Sequence, residues 1–336
     1  MGQKEKCEVY FIMKKGLKKI LAVALVAAMS MSFTACSEED SKDKVYNIGI
    51  CQLVEHPALD AATKGFKDVL IEKLGEDKVK FDEQNAQGES ATCATIVNSF
   101  VSSNVDLIMA NATPALQSAA NATGDIPVLG TSVTDYATAL ALKDFNGVVG
   151  GNVSGTSDLA PLDKQAQMVK ELFPDAKNIG ILYCSAEPNS KYQSTEITKV
   201  LEDLGYTCAE YTFVDSNDIA GVVQQAVAKS DVIYVPTDNT VASNTSVIDS
   251  IARPAGIPIV AGEEGICSGC GVATLSISYE DLGRATGEMA YEILVNGKDI
   301  SEMQVEYADA TTKKYNKEIA DELKITIPEG YVAIGE

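Results

Sequence analysis

NIGICQLVEHPALDAATKGFKDVL, residues 47–70, contains the unit from which the rest of the chain is built. It opens on a short apolar run at 47–54, turns polar at Gln52, Glu55 and His56, and reaches Pro57 where a helix would begin. Leu59, Ala62, Phe66, Val69 and Leu70 then recur at three- and four-residue steps, which places them on one face of a helix. Proline is tolerated at the first helical position, because the N–H it lacks has no intrahelical partner there. The stretch predicts a strand, a polar elbow, and a helix lying back over the strand.

The unit repeats. Further strands are predicted at 79–82, 107–110, 127–130, 178–183, 206–213, 232–235 and 257–260, with helical patterns between them. That alternation implies an α/β fold of parallel sheets with helices on both faces. Two stretches interrupt it, GVVGGNVSGTSD at 147–158 and GCGVATLSISY at 269–279, and each is expected to cross between two lobes, with Gly150, Gly151 and Gly155 as a hinge. The tail from 302 on, with Val305 and the apolar run 325–327, is expected to add edge strands and a third crossing. One lobe then comprises 45–155 plus about 279–300, and the other 156–278 plus about 301–336.

The N-terminal segment is an address. Lys14, Lys15, Lys18 and Lys19 precede an apolar run at 20–29, the small residues Thr34 and Ala35, and then Cys36 before an acidic stretch. The run is shorter than the roughly 20 residues of a membrane span and fits a secretory signal. This order resembles a bacterial lipoprotein signal, so 1–35 is expected to be removed, Cys36 lipidated, and 36–44 left as a polar tether. Met13, directly ahead of the basic run, is the expected initiator. Residues 1–35 carry six Lys and two Glu, so from Cys36 on the formal charge moves from −21 to −25.

Such an acidic chain disfavours nucleic acid and anionic membrane surfaces. Arg253 and Arg284 are the only arginines and His56 the only histidine. A bidentate arginine clamp, a histidine triad and a multi-histidine metal site are thus nearly excluded, and neither Gly-x-Ser-x-Gly nor Gly-Lys-Ser/Thr occurs. No enzyme activity, metal or cofactor is expected. Cys267-Ser-Gly-Cys270 has redox spacing but stands alone, and is expected to be a local disulfide or two free thiols.

In open parallel sheets ligands bind beyond the carboxyl ends of the strands. The predicted strands end in polar clusters: Gln52, Glu55 and His56; Thr113 before Pro114; Ser132, Thr134 and Asp135; Glu187, Asn189 and Ser190; Asp238, Asn239 and Thr240. Any one cluster is an ordinary helix cap. Both halves of the chain converging on the same kind of edge suggests two facing edges and a cleft.

QLVEHPALD (52–60), NAQGE (85–89), ANATPALQ (110–117), IPVLGTSVTD (126–135), GNVSGTSDLAP (151–161), ILYCSAEPNS (181–190) and DNT (238–240) together resemble ABC-transporter substrate-binding proteins of the tryptophan and tyrosine uptake type. The resemblance runs in register from about Val45 to about Gly297. It implies a type I periplasmic-binding-protein fold, two Rossmann-like lobes joined by three crossovers, closing on an aromatic amino acid. It also implies a monomeric, lipid-anchored receptor on the outer face of the membrane, with a permease and an ATPase as partners. Tyr136 stands where relatives commonly have Pro, next to the expected pocket. A nucleoside, a branched amino acid or a small peptide is the alternative solute, and a ligand-sensing lipoprotein the alternative role. For an amino acid, helix starts near Thr113 and Ser190 would take the carboxylate, and Asp238, Glu55 or Asp135 the ammonium. Tyr136 or Tyr183 would edge the side chain.

Overall fold

The computed structural model describes residues 44–308 and 310–335, so Met13, Cys36 and nearly all of the expected tether lie outside the described residues. The first sheet contains β1 (Tyr46–Gln52), β2 (Val79–Asn85), β3 (Leu107–Asn111), β4 (Val128–Val133) and β5 (Val153–Ser157). The second contains β6 (Asn178–Cys184), β7 (Thr207–Phe213), β8 (Val232–Val235), β9 (Ile259–Ala261) and β10 (Ala273–Ser276). Late in the chain β11 (Glu306–Tyr307) returns to the first sheet, while β12 (Thr312–Tyr315) and β13 (Val332–Ala333) join the second. The orders are β11-β5-β4-β3-β1-β2 and β13-β12-β10-β9-β8-β6-β7. Every pairing is parallel except β10 with β12.

Helices cover both sheets. They are α1 (Pro57–Leu74), α2 (Ser90–Ser102), α3 (Thr113–Ala122), α4 (Tyr136–Ala139), α5 (Leu162–Leu172), α6 (Pro188–Asp203), α7 (Ile219–Val227), α8 (Asn239–Ala242), α9 (Thr245–Ala252), α10 (Glu264–Cys270), α11 (Tyr279–Leu294) and α12 (Lys317–Glu322). No helix among the described residues is long and apolar enough to cross a membrane.

Alternation along β1 shows why the strands are apolar throughout. Ile48 and Ile50 pack with Phe66, Leu70 and Met289, whereas Cys51 packs on the opposite face with Cys93 and Phe100. Successive side chains point to opposite faces, and both faces are covered, so neither set can be polar. Burying each large side chain contributes about 1.5–3 kcal/mol. β6 does the same in the second lobe, with Ile179 and Ile181 against Ile197 and Leu201, and Leu182 against Ile219 and Val223.

Three crossings join the lobes, and they sit slightly differently from the sequence expectation. Residues 153–157 form β5 inside the first sheet, so the first crossing follows at Asp158 to Pro161. Gly150 and Gly151 have φ of 83° and 61° in the turn that enters β5 and do not form the hinge. Gly155 lies within β5 opposite Gly130, where a Cβ would collide with the Gly130 carbonyl and the Tyr136 hydroxyl. The second crossing is at Ile277 and Ser278, after which α11 packs on α1. The third lies later than expected: Ile300, Met303 and Val305 pack in the first lobe and β11 pairs with β5, so the chain crosses only between Tyr307 and Thr312. Ile325 and Ile327 pack against the second lobe without forming a strand.

Candidate functional site

β1, β3 and β4 of the first lobe end facing the starts of α6 and α8 in the second. The buried part of the first-lobe edge is built of amides and hydroxyls and is tightly wired. Gln52 donates to Val54 O (2.9 Å) and Asp60 Oδ1 (2.6 Å) and accepts from Thr63 Oγ1 (2.7 Å). Asn111 donates through Nδ2 to Leu59 O (2.8 Å) and Thr63 Oγ1 (3.0 Å). Beside it the backbone is strained, with Ala112 at φ 89° and Ser132 at φ 54°. Side chains other than glycine rarely occupy that region, and each costs about 1–3 kcal/mol. Ala112 precedes α3 and supplies no side-chain cap, so the first-turn N–H groups at Thr113 have none.

The second-lobe edge is built around two buried carboxylates. Glu187 accepts from Asn189 Nδ2 (3.1 Å), Asn239 N (3.0 Å), Asn239 Nδ2 (2.7 Å), Thr240 N (2.8 Å) and Thr240 Oγ1 (2.7 Å). Asp238 caps α8 through Val241 N (2.8 Å) and accepts from Cys184 N (2.7 Å). Burial, reinforced by Glu187, pushes the Asp238 carboxyl up to about 8 even though those N–H groups oppose the shift. Ser190 is fully buried and near Thr237 O, and Gln193 bonds Thr237 from both ends of its amide.

The two edges touch. His56 Nε2 is 3.3 Å from Asn239 Oδ1, and Gln193 Nε2 donates to Thr134 Oγ1 at 3.4 Å. Thr134 in turn donates to Asp158 Oδ1 (2.9 Å), whose other oxygen accepts from Tyr279 (2.9 Å), so the cleft contact continues into two of the crossings. Burial raises the Asp158 carboxyl and lowers His56. A groove of about 380 Å3 between the lobes is lined by Val54, Gly88 and Pro114 on one side and Glu187, Val214 and Asn239 on the other. It lies within the few hundred Å3 typical of small-ligand pockets.

Several expected contacts serve other purposes. Tyr136 is 1% exposed, its ring in the first-lobe core and its hydroxyl donating to Thr156 O (3.1 Å); it does not edge the cleft. Tyr183 packs in the second-lobe core. Glu55 is exposed and lines a hollow of the first lobe alone, with Lys64, Lys67 and Glu83. Asp135 caps Thr138 N (2.7 Å). Asp238 and Glu187 have their oxygens engaged by backbone and amide donors, so neither is an open acceptor for an ammonium group. Asn111 stands in the polar cluster that ends the third predicted strand, whereas Asp158, Gln193 and Tyr279 were not singled out by the sequence as site residues. Gln193 follows Asn189 by four residues, hence on the same helical face, and that signal was present. Cys267 and Cys270 are free buried thiols on α10.

What remains unpaired is informative. Among the described residues His56 Nδ1, Asn111 Oδ1, Ser132 Oγ and Asn189 Oδ1 are buried at these strand ends without a hydrogen-bond partner. Ser194, Thr198 and Thr274 also have unpaired hydroxyls, within α6 and β10. Both arginines are on the surface, Arg284 bidentate with Glu72 and Arg253 paired with Asp249, Glu318 and Glu322.

The sequence matches the family of ABC transporter substrate binding proteins across residues 47–334. The chain belongs to that family. This binding protein is 40% identical over 308 residues to the tyrosine-binding protein of Clostridioides difficile, covering 88% of this chain and 89% of the relative. Its structure is similar to an ABC domain from Streptococcus pneumoniae in complex with L-Trp (TM-score 0.82, 37% identity, 87% of this chain and 100% of that one). A ligand-free, open substrate-binding protein with adhesive properties from Clostridium difficile is 40% identical, yet its TM-score is 0.67 over 86% of this chain and 99% of that one. Lower structural similarity at higher identity agrees with the bonds that close this binding protein's cleft. The fold is the type I periplasmic-binding-protein arrangement.

Proposed function

We propose that this substrate-binding protein captures a free aromatic amino acid, tyrosine or tryptophan, outside the cytoplasm and delivers it to an ABC permease and its ATPase. In this reading the chain acts as a monomer held to the membrane by lipid on Cys36. The observation that supports an amino acid is the set of unpaired acceptors at the facing strand ends: His56 Nδ1, Asn111 Oδ1 and Asn189 Oδ1. A buried acceptor without a donor costs about 1–3 kcal/mol, and an α-ammonium group carries three N–H donors. The carboxylate goes to the starts of α3 and α6, whose first turns have no side-chain cap and offer N–H groups with the helix dipole behind them. With both arginines committed at the surface, that is the means of holding an anion that the cleft retains. The names of the relatives above favour an aromatic side chain.

A thermal-shift screen with the twenty amino acids and the nucleosides, followed by calorimetry, tests the proposal. Tyrosine or tryptophan is expected to raise the melting temperature most. Stabilisation by nucleosides alone would sink it, and mass spectrometry of the solute that co-purifies provides an independent check.

A further inference from the structure

His56 has one edge of its ring committed to the opposite lobe and the other edge unpaired. Asn239 decides which nitrogen carries the proton. Its Nδ2 donates to Glu187 Oε2 at 2.7 Å, and turning the amide over would set oxygen against oxygen, so Oδ1 is the atom that faces His56 Nε2 at 3.3 Å. Nε2 therefore carries the hydrogen, and Nδ1 has a lone pair. Nδ1 is buried in a residue only 7% exposed, and no group among the described residues donates to it. Asn189, whose Oδ1 is also unpaired, hangs from the same Glu187 oxygen as Asn239, so the two orphaned acceptors are linked through one carboxylate.

We propose that His56 acts as a neutral contact in two directions, its Nε2–H closing the cleft onto Asn239 and its Nδ1 accepting a hydrogen bond from the ammonium of the solute, so that acidification releases the solute. This rests on the amino-acid reading above. Protonation would place N–H groups on both edges, and the one at Nδ1 would meet the donors of the ammonium. The charged groups acting on the ring are Asp60 on its own helix and Glu187 across the cleft, and both favour the imidazolium. Burial outweighs them and holds the ring below its ordinary value in the closed state. In the open state the ring is expected to titrate near its ordinary value of about 6.5. Affinity is therefore complete above that value and falls by up to about tenfold per pH unit below it, because the closed form binds fewer protons.

The comparison of wild type with His56→Gln tests this, with L-tyrosine and L-tryptophan as probes in calorimetry from about pH 8 down to about pH 5. The glutamine amide retains a donor for Asn239, has no acceptor at the Nδ1 position and does not titrate. The wild type is expected to weaken below about pH 6.5, and the variant to be about tenfold weaker at pH 8 without the further loss below about pH 6.5, while any change between about pH 8 and 7 that comes from Asp238 or Glu263 is common to both proteins. A second readout requires no variant. His56 is the only histidine, so protein carrying labelled histidine gives a single imidazole in NMR spectra, expected as the Nε2–H tautomer when tyrosine is bound. Binding with a pH profile shared by His56→Gln, or the Nδ1–H tautomer, overturns the inference alone. Absence of binding by both amino acids at pH 8 overturns the functional reading and this inference with it.

Discussion

The two strand-end surfaces that face each other are built on opposite principles. The first lobe presents uncharged amides and hydroxyls wired to one another, with Asp60 at their exposed end, and a backbone forced into positive φ at Ala112 and Ser132. The second presents two buried carboxylates that gather backbone N–H groups and fix the four-residue α8. One surface stores conformational strain, and the other stores a pair of desolvated carboxyl groups, of which burial holds Asp238 protonated up to about pH 8. A cleft therefore needs no charged group pointing at its ligand; the charge can be used behind the contact surface, to hold amides such as Asn239 and Asn189 in one orientation.

The largest test of that contrast is removal of the carboxylate. Glu187→Ala strips five hydrogen bonds from a buried site and is expected to cost about 3 kcal/mol or more in urea unfolding, because hydrogen bonds to charged groups are worth about 1.5–3 kcal/mol each before relaxation. Its first-lobe counterpart, Gln52→Ala, removes bonds to Val54 and Thr63 and one to the exposed Asp60 carboxylate, and is expected to cost about 1–2 kcal/mol. Equal losses would erase the distinction.

Next in size is the pH dependence of stability, which belongs to the second lobe. Burial raises Asp238 from 3.8 to about 8 and Glu263, the cap of α10, from 4.5 to about 7. Both folded values stand above the unfolded ones, so each group's contribution is complete below about pH 4 and is lost as pH climbs toward 7 to 8. The solute-free protein is expected to lose on the order of 2 kcal/mol from pH 5 to pH 8. General repulsion on so acidic a chain acts in the same direction, and Asp238→Asn separates the two: a slope unchanged in that variant would assign the effect to overall charge.

The smallest effect belongs to the first lobe. Ser132→Gly relieves a φ of 54° while deleting an unpaired hydroxyl at the strand end. It is expected to stabilise the empty protein by up to about 1 kcal/mol and to weaken solute binding about tenfold. A variant gaining in both would show that the strain has no part in recognition.

The strand, elbow and helix units were legible because burial on both sheet faces leaves near-continuous apolar runs, and the position of the cleft followed from the direction of those strands. The roles of individual polar residues were not, since they depend on a third element that sequence order does not reveal. Asp238 and Glu187 resembled ligand acceptors, yet Cys184 and Thr240 had already claimed them. Tyr136 resembled a pocket wall, but Gly130 and Gly155 lie opposite each other in β4 and β5, and without side chains they admit its hydroxyl to the core. Of that pair, Gly155 reads in the sequence as part of a hinge and Gly130 as the end of a strand. The third crossing was misplaced because a two-residue strand such as β11 leaves no periodicity to detect.

The contact between α1 and α11 has a consequence for how the chain reaches this state. Cβ atoms on Gly65, Gly283 or Gly287 would strike the opposing helix backbone, so these two helices meet with nothing between them. One is among the first elements to leave the ribosome and the other among the last. Until residues 279–294 have emerged, the α1 face at Ala62 and Gly65 has no partner helix, although Phe66 on the same helix already packs with β1, β3 and β4, and that side of the first lobe stays incomplete for most of synthesis. A chain built this way completes its first lobe only after most of its length has been made.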